Sequence, residues 1–285
     1  MIESFEMEPG KFAIRATVRR LGIYLDNYAI IGFATGDVAR RDRLIGVFQG
    51  GADLMFSPAS AAEIIGPDRP NTIAAVRDFL DSVGPYWFPV EGTDLVGILE
   101  REAAGADRSD ACLSTWFIQQ FFAGRSIQIH GEQRQALVSP DYFRLGFILD
   151  WLGPHRADIR RREDAFDVSL ASKLVQLRRA YEQNRNGFDL HLPEPKWEPS
   201  RPATFAWNGL VRRLVLEAKA FRYEKGDSVD LCHAVASVAF ANFATLDKQW
   251  KRRVQSLPRP NQLAQEYYAT ELDELVQDVA HAIAN

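Results

Sequence analysis

The sequence lacks the features that mark several classes of protein. It has only two cysteines, Cys112 and Cys232, which stand far apart without metal-ligand spacing, and a disulfide scaffold would need more. No apolar run is long enough for a secretory signal or a membrane span. A Gly-rich phosphate loop, a zinc-ligand cluster and a nucleophilic serine motif are also missing. These absences predict a folded cytoplasmic protein that does not associate with a membrane.

Two acidic residues in the first quarter of the chain stand beside predicted strands. Asp26 follows the apolar run 21–25, which is typical of a buried strand that carries a carboxylate to its C-terminal edge. Glu63 follows a second short apolar run and lies about one helical turn into a helix that Ser57 and Pro58 are predicted to start. Ligands of open α/β sheets bind at the carboxyl edge of the strands, so both acids are candidates for a site.

Two further acids lie near the C-terminus. Asp230 is at the start of an Ala-rich predicted helix, with Asp227 one turn before it. Asp247 follows the short apolar strand that comes after this helix, and Thr245 lies two residues before it. A helix start and a strand end therefore each present a carboxylate.

The order of these acids resembles that of the PIN-domain family of metal-dependent ribonucleases. That family has Asp after the first strand, Glu in the helix after the second, Asp at a helix start, and then Thr-x-Asp. The positions that match its acidic quartet are Asp26, Glu63, Asp230 and Asp247, and Thr245 matches the threonine of its last motif. The match covers residues 21–80 and 225–256. It implies that the four acids are catalytic and hold Mg²⁺ or Mn²⁺, with Asp227 as a further candidate ligand. It also implies single-stranded RNA as the substrate, cleaved to leave a 3′-hydroxyl and a 5′-phosphate.

Carboxylates suit this chemistry for a physical reason. Hard divalent cations prefer oxygen ligands, and clustered carboxylates supply them while leaving positions open for water and phosphate. Each acid also has a simpler interpretation. An Asp after a strand is commonly a helix cap, and a Glu in the first turns of a helix is favoured by the helix dipole. We expect at least one of Asp227 and Ser228 to be a cap.

Four neighbouring residues are predicted to support the acids. Asn27 and Ser57 adjoin Asp26 and the Glu63 helix, where they are expected to hydrogen-bond to the acids or to metal-bound water. Thr245 is assigned by its match to the family motif. His233 lies three residues after Asp230 and so shares its helix face. It either orients a carboxylate or the scissile phosphate, or it is an interior histidine without a role in chemistry.

The charge of the chain limits how it could bind RNA. A formal net charge of −4 argues against a surface that binds nucleic acid over its whole area, because phosphate neutralisation dominates such affinity. Local basic clusters remain available. The cluster nearest the proposed site contains Lys248, Lys251 and Arg252, and we predict RNA contacts there.

The predicted fold class is α/β, a PIN-like three-layer fold with a central, mostly parallel sheet and a largely helical insertion. Residues 1–81 and 205–285 form the predicted nuclease domain. The segment Gly84–Pro89 is predicted to break the strand and helix pattern. Residues 82–204 form the predicted insertion, which returns through the proline-rich link Leu192–Pro202. The insertion could act as a lid, as a homo-oligomer interface or as a docking surface for a protein partner.

Two other functional hypotheses remain open at this stage. One is a PIN-like module that binds RNA or protein without catalysis and acts through the insertion. The other is a phosphohydrolase of the haloacid-dehalogenase type, which also has an Asp after its first strand. That class requires a second Asp two residues later, where this chain has Tyr28.

Overall fold

A parallel sheet of five strands lies at the centre of the protein. The computed structural model describes residues 1–8, 11–66, 69–92, 94–115, 117–118, 144–217 and 226–285. Strands β1 (Ile2–Glu8) and β2 (Lys11–Ala16) form a separate antiparallel hairpin. The central sheet contains β3 (Leu21–Tyr24), β4 (Ala52–Phe56), β5 (Trp87–Pro89), β6 (Phe243–Thr245) and β7 (Gln265–Tyr267). Every pairing in this sheet is parallel, which confirms the predicted α/β class.

Helices surround the sheet on both sides. Those in the first part of the chain are α1 (Asn27–Thr35), α2 (Val38–Gly50), α3 (Pro58–Ile65), α4 (Pro70–Ser82), α5 (Leu95–Ala103) and α6 (Arg108–Cys112). The later helices are α7 (Phe147–Leu152), α8 (Arg156–Gln183), α9 (Arg185–His191), α10 (Pro202–Leu216), α11 (Asp227–Phe240), α12 (Lys248–Gln255) and α13 (Leu272–Ala284). Among the described helices, none combines the length and the apolar character that a membrane span requires.

The strands are buried on both faces because their side chains alternate between two hydrophobic cores. One core receives Ile23, Leu54, Trp87 and Phe243, and the other receives Tyr24, Met55, Phe88 and Ala244. The strands of a parallel sheet covered by helices on both faces are expected to be almost continuously apolar. The strands are short apolar runs in the sequence because helices cover both faces of the sheet.

The order of the strands reverses at the middle of the sheet. The order across the sheet is β5-β4-β3-β6-β7. The chain moves outward from β3 to β4 and β5, and it later returns to place β6 on the other side of β3. A crevice forms at the carboxyl ends of parallel strands where the order reverses in this way, and it is the usual ligand site of such sheets. Asp26 follows β3 and Asp247 follows β6, so both lie at this point.

The range 82–204, predicted as the insertion, contributes to the central sheet. Its strand β5 pairs with β4, so the prediction that Gly84–Pro89 breaks the pattern is wrong for Trp87–Pro89. Proline is tolerated here because β5 is an edge strand and Pro89 is its last residue. The rest of the range that is described is mainly helical, and residues 192–201 contain no helix or strand. Residues 119–143 lie outside the described part of the chain.

Candidate active site

The four predicted acids line one pocket at the carboxyl edge of the sheet. Its lining residues are Asp26, Glu63, Asp230 and Asp247, together with Tyr24, Asn27, Tyr28, His233, Thr245, Leu246 and Trp250. The pocket has a volume of about 470 Å³, which is within the usual range for ligand sites. The acids come from four separate places in the fold, namely the end of β3, the middle of α3, the first turn of α11 and the end of β6.

Asp26 is fixed in the pocket by three hydrogen bonds. Its Oδ1 accepts from the Ala29 backbone N–H at 2.8 Å, which caps α1, and from the Thr245 hydroxyl at 3.0 Å. Its own backbone N–H donates to Thr245 Oγ1 at 2.6 Å. Thr245 therefore joins the ends of β3 and β6 across the point where the strand order reverses. Asp26 can be both a helix cap and a site residue, because Oδ1 caps α1 and these contacts leave Oδ2 for the pocket.

Asp247 is held in the same way on the neighbouring strand. Its Oδ1 accepts from the Trp250 backbone N–H at 2.8 Å and caps α12. Trp250 is buried beneath the pocket, and a hydrogen bond from its side chain favours the charged form of Asp230. The two capping aspartates are thus rigid parts of the site.

The pocket disfavours full ionisation of its acids. Burial raises the pKa of Glu63 to about 7, with the charge of Asp26 adding to the effect. Burial also raises the pKa of Asp230 to about 7, and the charges of Glu63 and Asp247 raise it further. The pKa of Asp26 is likewise raised by burial. The described residues that line the pocket include no lysine or arginine, so a bound cation would offset this repulsion.

The donor atoms of the pocket are of the chemical type that binds a divalent cation. Besides the carboxylates, Asn27 offers a buried Oδ1 that has no hydrogen-bond partner among the described residues, and amide oxygen is also a suitable ligand for hard cations. In the described part of the chain, no three Asp, Glu, His or Cys side chains are grouped closely enough to hold an ion as they stand. Ionised carboxylates repel one another at short range. A bound cation would therefore draw Glu63 and Asp230 toward the two capped aspartates, Asp26 and Asp247.

His233 contacts Glu63 on one side and Tyr24 on the other. Its Nδ1 is hydrogen-bonded to the Tyr24 hydroxyl, and its Nε2 lies 3.7 Å from Glu63 Oε1. Burial lowers the pKa of His233 to about 4, so the imidazole is neutral at pH 7 and this contact is not an ion pair. The sequence analysis missed Tyr24, which stands inside an apolar strand. The only signal for it was that a buried tyrosine hydroxyl usually needs a partner.

Ser57 is not among the described residues that line the pocket, and its hydrogen bonds are to Ser60 and Tyr24, not to the acids. It caps α3 by accepting from the Ser60 backbone N–H at 3.0 Å, and Pro58 is the first helical residue, as predicted. The Ser57 hydroxyl also contacts Ser60 Oγ at 3.0 Å and the Tyr24 hydroxyl at 3.4 Å.

A distant acid holds the helix that carries Asp230. The buried Asp167 of α8 accepts from the Gly226 backbone N–H at 2.7 Å, from the Ser228 backbone N–H at 3.1 Å and from the Ser228 hydroxyl. Gly226 has φ +99, a conformation that glycine adopts without strain. The expectation that Asp227 or Ser228 caps this helix is therefore wrong. A buried carboxylate is the stronger acceptor and takes both backbone donors.

The structure distinguishes Asp230 from Asp227. Asp230 lines the pocket, whereas Asp227 is not among the lining residues. Asp227 acts on the site through its charge, which raises the pKa of Asp230. Asp230 is therefore the metal-ligand candidate of this helix.

Replacing Asp167 with alanine is expected to destabilise the protein. The change leaves two backbone donors and a fully buried hydroxyl at the start of α11 without their acceptor, a loss of about 1–3 kcal/mol. Urea unfolding measures it as a lower midpoint. Glu182→Ala, which removes an exposed acid of the same helix α8, should leave the midpoint unchanged. Equal midpoints for Asp167→Ala and the wild type would show that these hydrogen bonds do not stabilise the fold.

The three basic residues predicted to contact RNA lie outside the pocket. Lys248 follows Asp247 directly and is exposed, and Arg252 is exposed on the last turn of α12. Lys251 forms an ion pair with Glu271. Of these three residues, Lys248 is the one adjacent in sequence to a pocket acid, Asp247.

Comparison with protein-family models, with curated proteins and with solved structures finds no match to this chain. The function proposed below therefore depends on the residues of the pocket and on the resemblance described above.

Proposed function

We propose that the protein is a divalent-metal-dependent endoribonuclease that hydrolyses phosphodiester bonds of single-stranded RNA. One observation carries the proposal. Four carboxylates from four separate parts of the fold line a single pocket where the strand order of a parallel sheet reverses. Structural caps explain the positions of Asp26 and Asp247, but they do not explain why Glu63 and Asp230 meet them there at a cost in ionisation.

The charge of the pocket indicates what it binds first. Four acids, with no lysine or arginine beside them among the described lining residues, would repel a phosphate group, so we infer that cations bind before phosphate. Mg²⁺ or Mn²⁺, when bound, would activate water for attack and stabilise the leaving oxygen of an in-line displacement. The residues that would hold the cation are Asp26, Glu63, Asp230 and Asp247.

The chain's own residues divide into rigid and titrating members. Asp26 and Asp247 are oriented by backbone N–H groups and do not have to reorganise when the substrate binds. Glu63 and Asp230, each with a pKa of about 7, must lose their remaining protons before both can serve as ligands. Activity is therefore expected to rise with pH between about 6 and 8, as these protons dissociate.

The mouth of the pocket supports a nucleic-acid substrate. Tyr28 lines the pocket, and 74% of its surface is exposed. Large aromatic side chains are seldom left so open, whereas an exposed ring beside a phosphate site provides a surface on which a base can stack. The choice of RNA in particular follows from the resemblance to PIN-domain ribonucleases.

Replacing Tyr28 with alanine is expected to raise KM for single-stranded RNA about tenfold, because a stacked base contributes ~1–3 kcal/mol. The value of kcat should change little, since the ring is at the mouth and not among the acids. Tyr28→Phe keeps the ring and should retain a KM close to that of the wild type. Steady-state cleavage of a labelled oligonucleotide measures both constants. An unchanged KM in Tyr28→Ala would exclude stacking on this residue.

The direct test of the proposed function is cleavage of a pool of unstructured RNA carrying a label at either end. Cleavage is expected with Mg²⁺ or Mn²⁺ and not with EDTA, and the products should have 3′-hydroxyl and 5′-phosphate ends. RNA that is bound but not cut in any metal would favour the non-catalytic binding module. Release of phosphate from monoesters without internal cleavage would favour the phosphohydrolase.

A further inference from the structure

A buried group of hydroxyls lies beneath the imidazole of His233. The Tyr24 hydroxyl contacts His233 Nδ1, and it also lies 3.4 Å from Ser57 Oγ and 3.3 Å from Ser60 Oγ. Tyr24, Ser57 and Ser60 are all essentially inaccessible to solvent. His233 Nε2, on the other side of the ring, is buried without a hydrogen-bond partner in the described part of the chain. One ring nitrogen is therefore satisfied from below, and the other is directed at the pocket.

The contacts of Tyr24 decide which nitrogen carries the proton. A neutral imidazole has one N–H and one acceptor nitrogen. A ring nitrogen is a better acceptor than a serine hydroxyl. The Tyr24 O–H therefore donates to Nδ1, and the two serine hydroxyls can donate to the Tyr24 oxygen. The opposite arrangement would direct the Tyr24 proton to a serine over 3.3 or 3.4 Å, which is long for a bond between hydroxyls. These contacts favour the tautomer that carries the proton on Nε2.

We propose that Tyr24 is a positioning residue that holds His233 in its Nε2–H tautomer and so makes it a hydrogen-bond donor to the phosphate in the pocket. This inference rests on the proposed function. An N–H at Nε2 cannot bind a metal ion, since it has no free lone pair, but it can donate to an anionic phosphate oxygen. The distance of 3.7 Å to Glu63 Oε1 is too long for a hydrogen bond, so this donor is not taken up by the carboxylate.

The tautomer can be measured without any activity. In protein with ¹⁵N-labelled histidine, free of metal at pH 7.5, the long-range proton–nitrogen correlations of His233 should show the Nε2–H form. In Tyr24→Phe, which keeps the ring in the core but removes the hydroxyl, the pattern should shift toward the Nδ1–H form or a mixture. An Nδ1–H form in the wild type, or an unchanged pattern in Tyr24→Phe, would overturn the proposal. This result does not depend on whether the protein cleaves RNA.

Kinetics and metal binding test the role of the donor. Tyr24→Phe is expected to lower kcat about tenfold, the scale of a lost orienting partner, with KM and the affinity for Mn²⁺ unchanged. Tyr267→Phe removes another tyrosine hydroxyl, one bonded to Asp278 and outside the pocket, and should leave the tautomer and kcat unchanged. A loss of Mn²⁺ affinity in Tyr24→Phe would identify His233 as a metal ligand and contradict the proposal. An unchanged kcat in Tyr24→Phe would show that the His233 donor has no role in cleavage.

Discussion

Replacing Asp26 with asparagine is expected to lower the rate of RNA cleavage about 10³-fold, because losing a charge that we propose to bind the cation would remove several kcal/mol of transition-state stabilisation. The fold should be retained. Asparagine is as good an N-cap as aspartate, and its amide oxygen can still accept from Ala29 and Thr245 as Oδ1 does now. The rate under single-turnover conditions with saturating Mn²⁺ measures the effect.

The chain offers a matched control for this change. Asp37 caps α2 by accepting from the Ala39 and Arg40 backbone N–H groups, is exposed and does not line the pocket. Asp37→Asn therefore removes the charge of a capping aspartate without touching the site, and it should cleave at the wild-type rate. If the Asp26→Asn protein, purified in the same way, also cleaves at that rate, then the activity belongs to another site or to a contaminant.

Replacing Asp230 with asparagine is expected to stabilise the metal-free protein while it abolishes cleavage. Glu63 and Asp230 have pKa values of about 7 in the folded protein, above those of the unfolded chain. The folded state therefore holds more protons between about pH 4 and 7, and stability is lost as the pH rises through about 7. Removing one of the repelling charges should add on the order of 1–2 kcal/mol at pH 8 and less at pH 5, because the loss of stability begins near pH 4 and is complete near pH 7.

Added metal should reverse this order of stability. The wild type gains free energy of unfolding when Mn²⁺ binds the folded state, ~2.7 kcal/mol at 100 times Kd, whereas Asp230→Asn should gain much less. Urea unfolding at pH 5 and pH 8, with and without Mn²⁺, gives the comparison. Asp227→Asn, one turn earlier and outside the pocket lining, should keep the gain from metal. A variant at Asp230 that is less stable than the wild type at pH 8 without metal would show that the carboxylates do not repel one another.

The sequence predicts the placement of the acids because short-range rules govern it. Asp26 and Asp247 each follow a short buried strand. Ser57 and Pro58 start the helix that carries Glu63. The carboxyl ends of parallel strands meet at one edge, so a pattern of strands and caps brings these residues together. Capping and the proposed metal binding use different oxygens of the same aspartates, which is why the two interpretations did not exclude each other.

The contacts that support the site could not be predicted in this way. Tyr24 and His233 are separated by 209 positions, and Asp167 reaches Ser228 from 61 positions away. Nothing local distinguishes Asp167 from the other acids of an amphipathic helix. Strand β5 has only three residues and ends in proline, which is too short for an alternating pattern. Tertiary packing, and not local preference, fixes these features.

The range predicted as an insertion also takes part in the site. Asp167 belongs to α8 within this range, and it holds the start of α11, which carries Asp230 and His233. Glu102 in α5 does the same for α10, where it accepts from the backbone N–H groups of Ala203 and Thr204. These helices therefore serve as supports for the site.

We propose that the four carboxylates hold a divalent cation. Anomalous scattering from crystals grown with Mn²⁺ at pH 8 tests it most directly, because manganese can be located without reference to activity. We predict manganese peaks in the pocket, within coordination distance of Asp26, Glu63, Asp230 and Asp247. A pocket without manganese at concentrations that support RNA cleavage, or manganese bound only elsewhere, would contradict the account.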